Sequence, residues 1–269
     1  MKKTKQQYRQ YSSQTERCER PADGHGARAE AHGGPATHTE ELVRWTAGLG
    51  AVTAQSVSVH AGVSVASARA RLAAAERRGL LLSHRPLRDT PALYAATRVG
   101  LRAVGAHDLG PCRVSAATAA HQAECARVAA ELERRYPGHR VQGERELRAI
   151  ERELGRAVAS AEVTLAASGA AGLVARSRRR AGQRPLHRPD LVLWADGRGG
   201  GLPVAVEVEL TAKAPARLAA ICLAWARART VSGVLYLAPP EVERAVRRAI
   251  AQAHAGERVV VVPLAALGE

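Results

Sequence analysis

Three carboxylates lie in or beside two short apolar runs in the second half of this 269-residue chain. Asp190 precedes the run Leu191 to Trp194, and Glu207 and Glu209 lie within the run Val204 to Leu210. Successive side chains of a strand point to opposite faces, so both glutamates are expected on one face and the valines on the other. Like-charged acids at this spacing repel each other unless a cation lies between them. The pattern therefore predicts a divalent metal site with carboxylate ligands.

The expected chemistry is metal-assisted attack on a phosphodiester. A metal ion held by two carboxylates can bind the scissile phosphate, while a third group orients or activates water. We expect Asp190 and Glu207 to bind Mg²⁺ or Mn²⁺, with Glu209 either a further ligand or a base acting through water. Lys213 would share the strand face of the glutamates if the strand extended that far, and it could then offset charge in the transition state. Alternatively, Lys213 begins the next helix.

Four further residues are candidates for the same site. Glu144 lies on a strand expected from Arg140 to Leu147, where it is either an additional metal ligand or a solvated surface acid. His121, on the preceding helix, is expected to pack or to face phosphate more than to bind metal. His187 and Arg188 lie just before the first acid and could contact phosphate.

The charge balance of the chain indicates the kind of partner. There are 40 Lys and Arg residues against 25 Asp and Glu, a formal net charge of +15. This excess favours a polyanion, either nucleic acid or an anionic membrane surface. No apolar stretch approaches the roughly 20 residues that a spanning helix needs, and the N-terminus lacks an apolar secretory region. We therefore expect a cytoplasmic protein that binds DNA and no membrane, with homodimer formation left open.

The cysteines are expected to be ordinary reduced thiols. They are widely scattered, with no C-x-x-C pair and no histidine recognised at zinc-ligand spacing from any of them: Cys18, Cys112, Cys125 and Cys222.

Composition divides the chain into three predicted segments. Residues 1–38 are polar and charged, and we expect a disordered basic arm that either touches phosphate or is simply unstructured. Residues 39–110 have the pattern of a compact helical domain. Residues 111–269 are expected to form a larger domain of alternating helices and strands.

Residues 39–110 show three short helices followed by a hairpin. The helices are expected from Glu40 to Leu49, after a cap at Thr53, and from a cap at Ser64 to Arg78. Strands from Leu80 to Ser83 and from Ala92 to Thr97 would flank a basic turn. The pattern is either a three-helix packing domain with solvated arginines or, as its order resembles, a winged helix-turn-helix. In that second interpretation the DNA contacts are Ser67, Arg69 and Arg71 on the third helix and His84, Arg85 and Arg88 in the wing.

The remaining residues predict a central sheet flanked by helices. Beyond the two acid-bearing runs, helices are expected at 114–136, 215–229 and 240–255, with strands at 232–238 and 258–264. The order is helix, strand, strand, strand, helix, strand, helix, strand. The predicted fold class is therefore α+β, with a winged helix-turn-helix followed by an α/β domain that has a mixed sheet.

This order, with an acid at the start of one strand and two acids at the end of the next, resembles the restriction-endonuclease-like superfamily, the PD-(D/E)xK nucleases. Pro189-Asp190 matches the first half of that motif and Glu207-Val-Glu209 the second. Glu209 stands where the family usually has Lys, as it does in some restriction enzymes of the superfamily. Together with the N-terminal helices and His121, residues 40–264 resemble the replication-relaxation family of actinobacterial and plasmid proteins.

The resemblance implies a DNA-binding protein of plasmid or mobile-element replication or mobilisation, whose nuclease-fold domain is weakly active or inactive. One alternative is an active Mg²⁺-dependent DNA endonuclease or nickase, and another is a winged-helix transcriptional regulator. In each DNA-binding interpretation the arginine-dense segment before the motif supplies phosphate contacts: Arg178, Arg179, Arg180 and Arg188.

Overall fold

The computed structural model describes residues 37–88, 90–163, 186–195 and 201–268. These residues belong to one compact unit that begins at Thr37. The predicted arm lies almost wholly outside the described residues, as do Arg178, Arg179 and Arg180. Within the described residues the protein is α+β with a central mixed sheet, as the sequence predicted, and it has eight α-helices. No helix in these ranges combines the length and the apolar character needed to cross a bilayer.

The N-terminal elements form because local capping signals define each helix. Side-chain oxygens of Thr37, Thr53 and Ser64 accept hydrogen bonds from backbone N–H groups in the first turns of the three helices that follow, which satisfies donors that otherwise have no partner. The elements are α1 (His38–Leu49), β1 (Ala51–Val52), α2 (Ala54–Ala61), α3 (Val65–Arg77), β2 (Leu81–His84), β3 (Leu93–Ala96) and α4 (Arg98–Ala103).

The three short strands form an antiparallel sheet in the order β1-β3-β2, in which β2 and β3 make a hairpin. The helices pack on this sheet around a core that includes Val43, Leu72 and Leu81. Gly100, in α4, allows a close crossing, because a Cβ there would overlap the backbone oxygen of Leu80.

The second half contains a five-stranded mixed sheet. Its strand order is β10-β9-β8-β7-β4, with β8, β9 and β10 parallel and β7 antiparallel to both of its neighbours. Strands β5 and β6 form a separate antiparallel pair. The elements are α5 (Ala116–Arg135), β4 (Arg140–Gly143), α6 (Glu144–Leu154), β5 (Ala161–Glu162), β6 (Leu186–His187), β7 (Leu191–Trp194), β8 (Val204–Val208), α7 (Pro215–Arg227), β9 (Gly233–Ala238), α8 (Pro240–Gln252) and β10 (Val259–Pro263).

Both faces of the central sheet are covered. Helix α5 packs Val128 and Leu132 against Val206 on one face. Helix α7 packs Trp225 against Ala205 on the other. Helix α7 covers the face of β8 that carries the glutamates, so both glutamates lie in the interior. The expectation that the valine face of β8 packs in the core while the glutamate face only carries charge is therefore wrong.

Two predicted elements have different bounds. The strand expected from Arg140 to Leu147 ends at Gly143, and α6 begins at Glu144, so this acid lies in the first turn of a helix. Glutamates in a first helical turn are stabilised by the positive end of the helix dipole, which favours the helix here. Strand β8 ends at Val208, so Glu209 and Lys213 lie beyond it.

Helix α5 joins the two halves. Its Ala126 belongs to the core of the N-terminal elements. Glu133, further along the same helix, accepts a hydrogen bond from Trp45 Nε1 at 3.1 Å and lies 2.6 Å from His60 Nδ1. The rings of Trp45 and His60 stack with centroids 4.1 Å apart. These contacts anchor α1 and α2 to the helix that also covers the central sheet.

Candidate functional site

Asp190 lies where four elements of the second half meet. It directly precedes β7, and its Oδ2 accepts a hydrogen bond from Val208 N–H, at the end of β8, at 2.8 Å. Its backbone oxygen accepts a hydrogen bond from Glu144 N–H, at the start of α6, at 3.0 Å. Its other carboxylate oxygen, Oδ1, is 3.3 Å from His121 Nε2 on α5. The carboxylate is thus held in one orientation by its contacts with the end of β8 and with α5.

A cleft of about 540 Å³ opens onto Asp190. Its lining includes His121, Cys125, Glu144 and Asp190 together with four arginines: Arg113, Arg145, Arg148 and Arg152. Arg148 forms an ion pair with Glu144, and Arg145 donates to the backbone oxygen of Gly110. An anionic ligand in the cleft would therefore have guanidinium groups as neighbours.

Glu207 does not line this cleft and lies in the core. Its Oε1 is 2.7 Å from His187 Nε2 and accepts a hydrogen bond from Trp225 Nε1 at 3.0 Å. Burial raises the pKa of Glu207, and the charge of His187 opposes that shift. Burial alone would lower the pKa of His187, but the charge and hydrogen bond of Glu207 outweigh it and raise the value. The carboxylate of Glu207 therefore already contacts side chains from β6 and α7.

Glu209 and Lys213 form an ion pair with each other. Glu209 is buried and its backbone N–H donates to Leu237 O on β9, so it continues the direction of β8 without belonging to it. Lys213 lies two residues before α7 and is only partly exposed. The pair is near the predicted motif, but neither residue lines the cleft at Asp190.

Among the described residues, the group of potential metal ligands found within 4.8 Å of one another combines Asp190 with His121 and Cys125. Glu207 and Glu144 are not in it. The Cys125 sulfur is 3.7 Å from each nitrogen of the His121 ring. The hydrogen bond with Asp190 raises the pKa of His121 although burial opposes it, and burial raises the pKa of the Cys125 thiol.

Sequence reasoning missed Cys125. It lies four residues after His121, and on a helix that spacing places two side chains on one face. The statement that no cysteine has a histidine at ligand spacing is therefore wrong for this pair. Within the described residues Cys112, Cys125 and Cys222 are free thiols, which agrees with the expected absence of disulfides among them.

The residues predicted to contact DNA fall into two groups. On α3, Arg69 is exposed, and Ser67 and Arg71 are half-buried. In the β2–β3 hairpin, Arg85 and Arg88 are exposed and His84 is half-buried. Arg188 differs from all of these, because its Nε is 2.8 Å from Glu151 Oε2 and the Glu151 side chain is only 1% exposed. Arg188 is thus held by a buried acid of α6.

No protein-family model, curated protein or solved structure matches this chain. The resemblance to the replication-relaxation family accordingly depends on the motif residues and the order of elements alone.

Proposed function

We propose that the protein binds duplex DNA through α1 to β3, used as a winged helix-turn-helix. The observation that carries this proposal is the arrangement of α2 and α3, separated by a three-residue turn, beside an antiparallel hairpin in a sheet of order β1-β3-β2. In such modules the second helix of the pair enters the major groove and the hairpin approaches the backbone.

The side chains of α3 are distributed as this role requires. Ala68, Leu72 and Ala75 are buried against the core, whereas Arg69 is exposed. Arg85 and Arg88 lie in the connection between the hairpin strands, also exposed. Exposed guanidinium groups on both the helix and the hairpin suit phosphate contacts, which supply most of the non-specific affinity for DNA.

The biological setting we propose is plasmid or mobile-element replication or mobilisation. Its support is the resemblance of the motif run to the replication-relaxation family, together with an acid-bearing mixed sheet of the kind expected for a restriction-endonuclease-like domain. The net charge of +15 suits a nucleic-acid partner in any such role.

A second candidate function is phosphodiester hydrolysis in the cleft. The observation that favours it is the position of Asp190 in the lining of a cleft that also has four arginines. The predicted Mg²⁺ ligand set does not fit, because Glu207 is buried and bonded to His187 and Trp225 instead of facing this cleft. We therefore derive no catalytic step through Mg²⁺ at Asp190, Glu207 and Glu144.

The test of DNA binding compares Arg69→Glu and Arg85→Glu with a matched control, Arg248→Glu, at an exposed position of α8. Affinity for a labelled duplex is measured by fluorescence anisotropy over a range of salt concentrations. Each hairpin or α3 variant should bind more weakly and flatten the plot of log affinity against log salt by about one unit for each phosphate that it no longer binds. Equal effects in all three variants would place the binding surface elsewhere.

The test of hydrolysis uses supercoiled plasmid with Mg²⁺, Mn²⁺ or Zn²⁺ and an Asp190→Ala variant beside the wild type. Nicking or linearisation by the wild type alone would support a nuclease. If the wild type and Asp190→Ala both retard the plasmid on the gel without cutting it, DNA binding remains as the function, and hydrolysis of supercoiled plasmid is ruled out.

A further inference from the structure

In the group formed by His121, Cys125 and Asp190, the separations from His121 to the other two residues are close to those of a tetrahedral metal site. Bonds of about 2.3 Å to sulfur and about 2.0–2.2 Å to nitrogen or oxygen place tetrahedral neighbours roughly 3.4–3.6 Å apart. The observed separations are 3.7 Å from Cys125 Sγ to either His121 nitrogen and 3.3 Å from His121 Nε2 to Asp190 Oδ1. All three ligand atoms lie within 4.8 Å of one another, so small side-chain rotations would bring them to the separations of a tetrahedral site.

The surroundings hold these ligand atoms in place. Val208 N–H holds Oδ2 of Asp190 at 2.8 Å, which leaves Oδ1 directed at His121. Hydrogen bonds of this kind, from backbone groups to metal ligands, fix ligand orientation in known metal sites. His121 and Cys125 are fixed relative to each other because both project from α5.

The ligand types identify the class of metal. Mg²⁺ prefers oxygen ligands alone, whereas a thiolate, an imidazole and a carboxylate together suit Zn²⁺ and related transition metals. All three side chains line the arginine-walled cleft, so solvent or an anion can reach an ion held there. We propose that His121, Cys125 and Asp190 bind Zn²⁺ or a similar transition-metal ion, with a fourth position open to the cleft.

This site goes beyond DNA binding and does not depend on it. Binding converts the Cys125 thiol to a thiolate, and the metal ion replaces the proton that lies between His121 Nε2 and Asp190 Oδ1, so that His121 becomes a neutral ligand with its proton on Nδ1. The displaced protons leave to solvent, and no oxidation or reduction takes place. The site also changes the role of His121, which becomes a ligand in place of the packing or phosphate-facing residue that the sequence suggested. Asp190 is the one residue shared with the predicted carboxylate site.

The experiment is a Co²⁺ titration of the full chain after treatment with a chelator, followed by competition with Zn²⁺. Co²⁺ bound to a thiolate gives a sulfur-to-metal charge-transfer absorption, which reports the sulfur ligand directly. We expect this absorption in the wild type and in Cys112→Ser, a free thiol lining the same cleft. It should be absent in Cys125→Ser, and Zn²⁺ but not excess Mg²⁺ should abolish it in the wild type.

His121→Ala keeps the test informative if Cys125→Ser fails to fold, since the His121 side chain is 42% exposed and its removal should leave the core intact. His121→Ala and Asp190→Asn should each weaken Co²⁺ binding by at least about tenfold, because even partners that only orient ligands are worth roughly 10–100-fold. An absorption that persists in Cys125→Ser, that disappears in Cys112→Ser or Cys18→Ser, or that the wild type never shows, would overturn the proposal. DNA affinity measured on the same samples tests the proposed function separately.

Discussion

Replacing His187 by Ala should destabilise the fold because it strands a buried carboxylate. The Glu207 side chain is 4% exposed and that of His187 is 20% exposed, and the ring nitrogen and carboxylate oxygen are 2.7 Å apart. Without His187 the partner identified for Oε1 is the indole of Trp225 at 3.0 Å. Removing one member of a buried ion pair typically costs about 3–5 kcal/mol. We expect His187→Ala to lose free energy of unfolding in this range at pH 7.

The effect should depend on pH in a defined direction. The folded-state pKa of both His187 and Glu207 is raised, so the folded protein retains protons that the unfolded chain releases. The stabilising contribution of His187 is then complete below its unfolded pKa of about 6.5 and is lost as the pH rises through the higher folded value. In His187→Ala the carboxyl of Glu207 can take up a proton instead, at a free-energy cost that grows as the pH rises above its unfolded pKa of 4.5. Between pH 5 and pH 7 this cost grows by up to about 2.7 kcal/mol, whereas the contribution of His187 declines by up to about 0.7 kcal/mol, so the variant should lose less stability at pH 5 than at pH 7.

Urea unfolding followed by tryptophan fluorescence at pH 5 and pH 7 measures both effects. The double variant His187→Ala, Glu207→Gln should recover most of the stability, because it removes the stranded charge. His84→Ala, on the edge strand β2, is the matched control and should change stability by less than about 0.5 kcal/mol. A destabilisation below about 1 kcal/mol in His187→Ala, or an equal destabilisation at the two pH values, would refute the buried ion pair.

Two further predictions concern residues that position the cleft. A Cβ at Gly143 would overlap the backbone oxygen of Gly48 and lie 3.1 Å from its carbon. Gly143→Ala should therefore lower the free energy of unfolding by about 1–3 kcal/mol in urea titrations, and an unchanged midpoint would contradict this close crossing of backbones. Arg188→Ala should cost about 3 kcal/mol, because Glu151 stays buried with backbone N–H donors such as that of Val158 at 2.9 Å. The DNA affinity of Arg188→Ala should depend on salt concentration in the same way as that of the wild type. A flatter dependence would indicate that Arg188 contacts phosphate, as the sequence predicted.

The N-terminal elements could be predicted closely because their signals are local. Thr53 and Ser64 each cap a helix through a hydrogen bond to a residue three positions later, and such contacts are independent of the rest of the fold. Gly62 ends α2 with a positive φ of 62°, a conformation that glycine adopts without strain. The hairpin that follows α3 joins two strands that are adjacent in sequence, although β3 also pairs with β1. These bounds accordingly agree with the sequence interpretation to within two or three residues.

Helix α6 is absent from the sequence prediction although its signals are present. The run Glu144 to Leu147 reads as a continuation of the strand because its charged residues precede an apolar one. The i, i+4 pair of Glu144 and Arg148 and the glycine at position 155, with a φ of 66°, are typical of a helix with a glycine end. Gly143, the last residue of the strand, packs so closely on the backbone of Gly48 that a side chain would overlap it, and this contact, distant in sequence, has no local signal.

The carboxylates are predicted to converge, but their surroundings separate them. Strand periodicity correctly gives Glu207 and Glu209 neighbouring positions, yet it cannot show which helix covers them. The covering helix, α7, brings Trp225 to Glu207, and the segment before it brings Lys213 to Glu209. Only Asp190 among the predicted catalytic residues lines the cleft. Tertiary contacts therefore decide which acids are available to a ligand.

Helix α5 relates the proposed DNA-binding elements to the cleft. A helix of 20 residues spans about 30 Å at 1.5 Å per residue. Its first half carries His121 and Cys125, which line the cleft. Its second half carries Glu133, whose carboxylate contacts Trp45 and His60. Because the described residues from Thr37 onward belong to one compact unit, duplex DNA held by α3 would meet the cleft at a fixed displacement. The packing of α1 and α2 on α5, and not a flexible linker, would then determine which phosphates of bound DNA could approach Asp190.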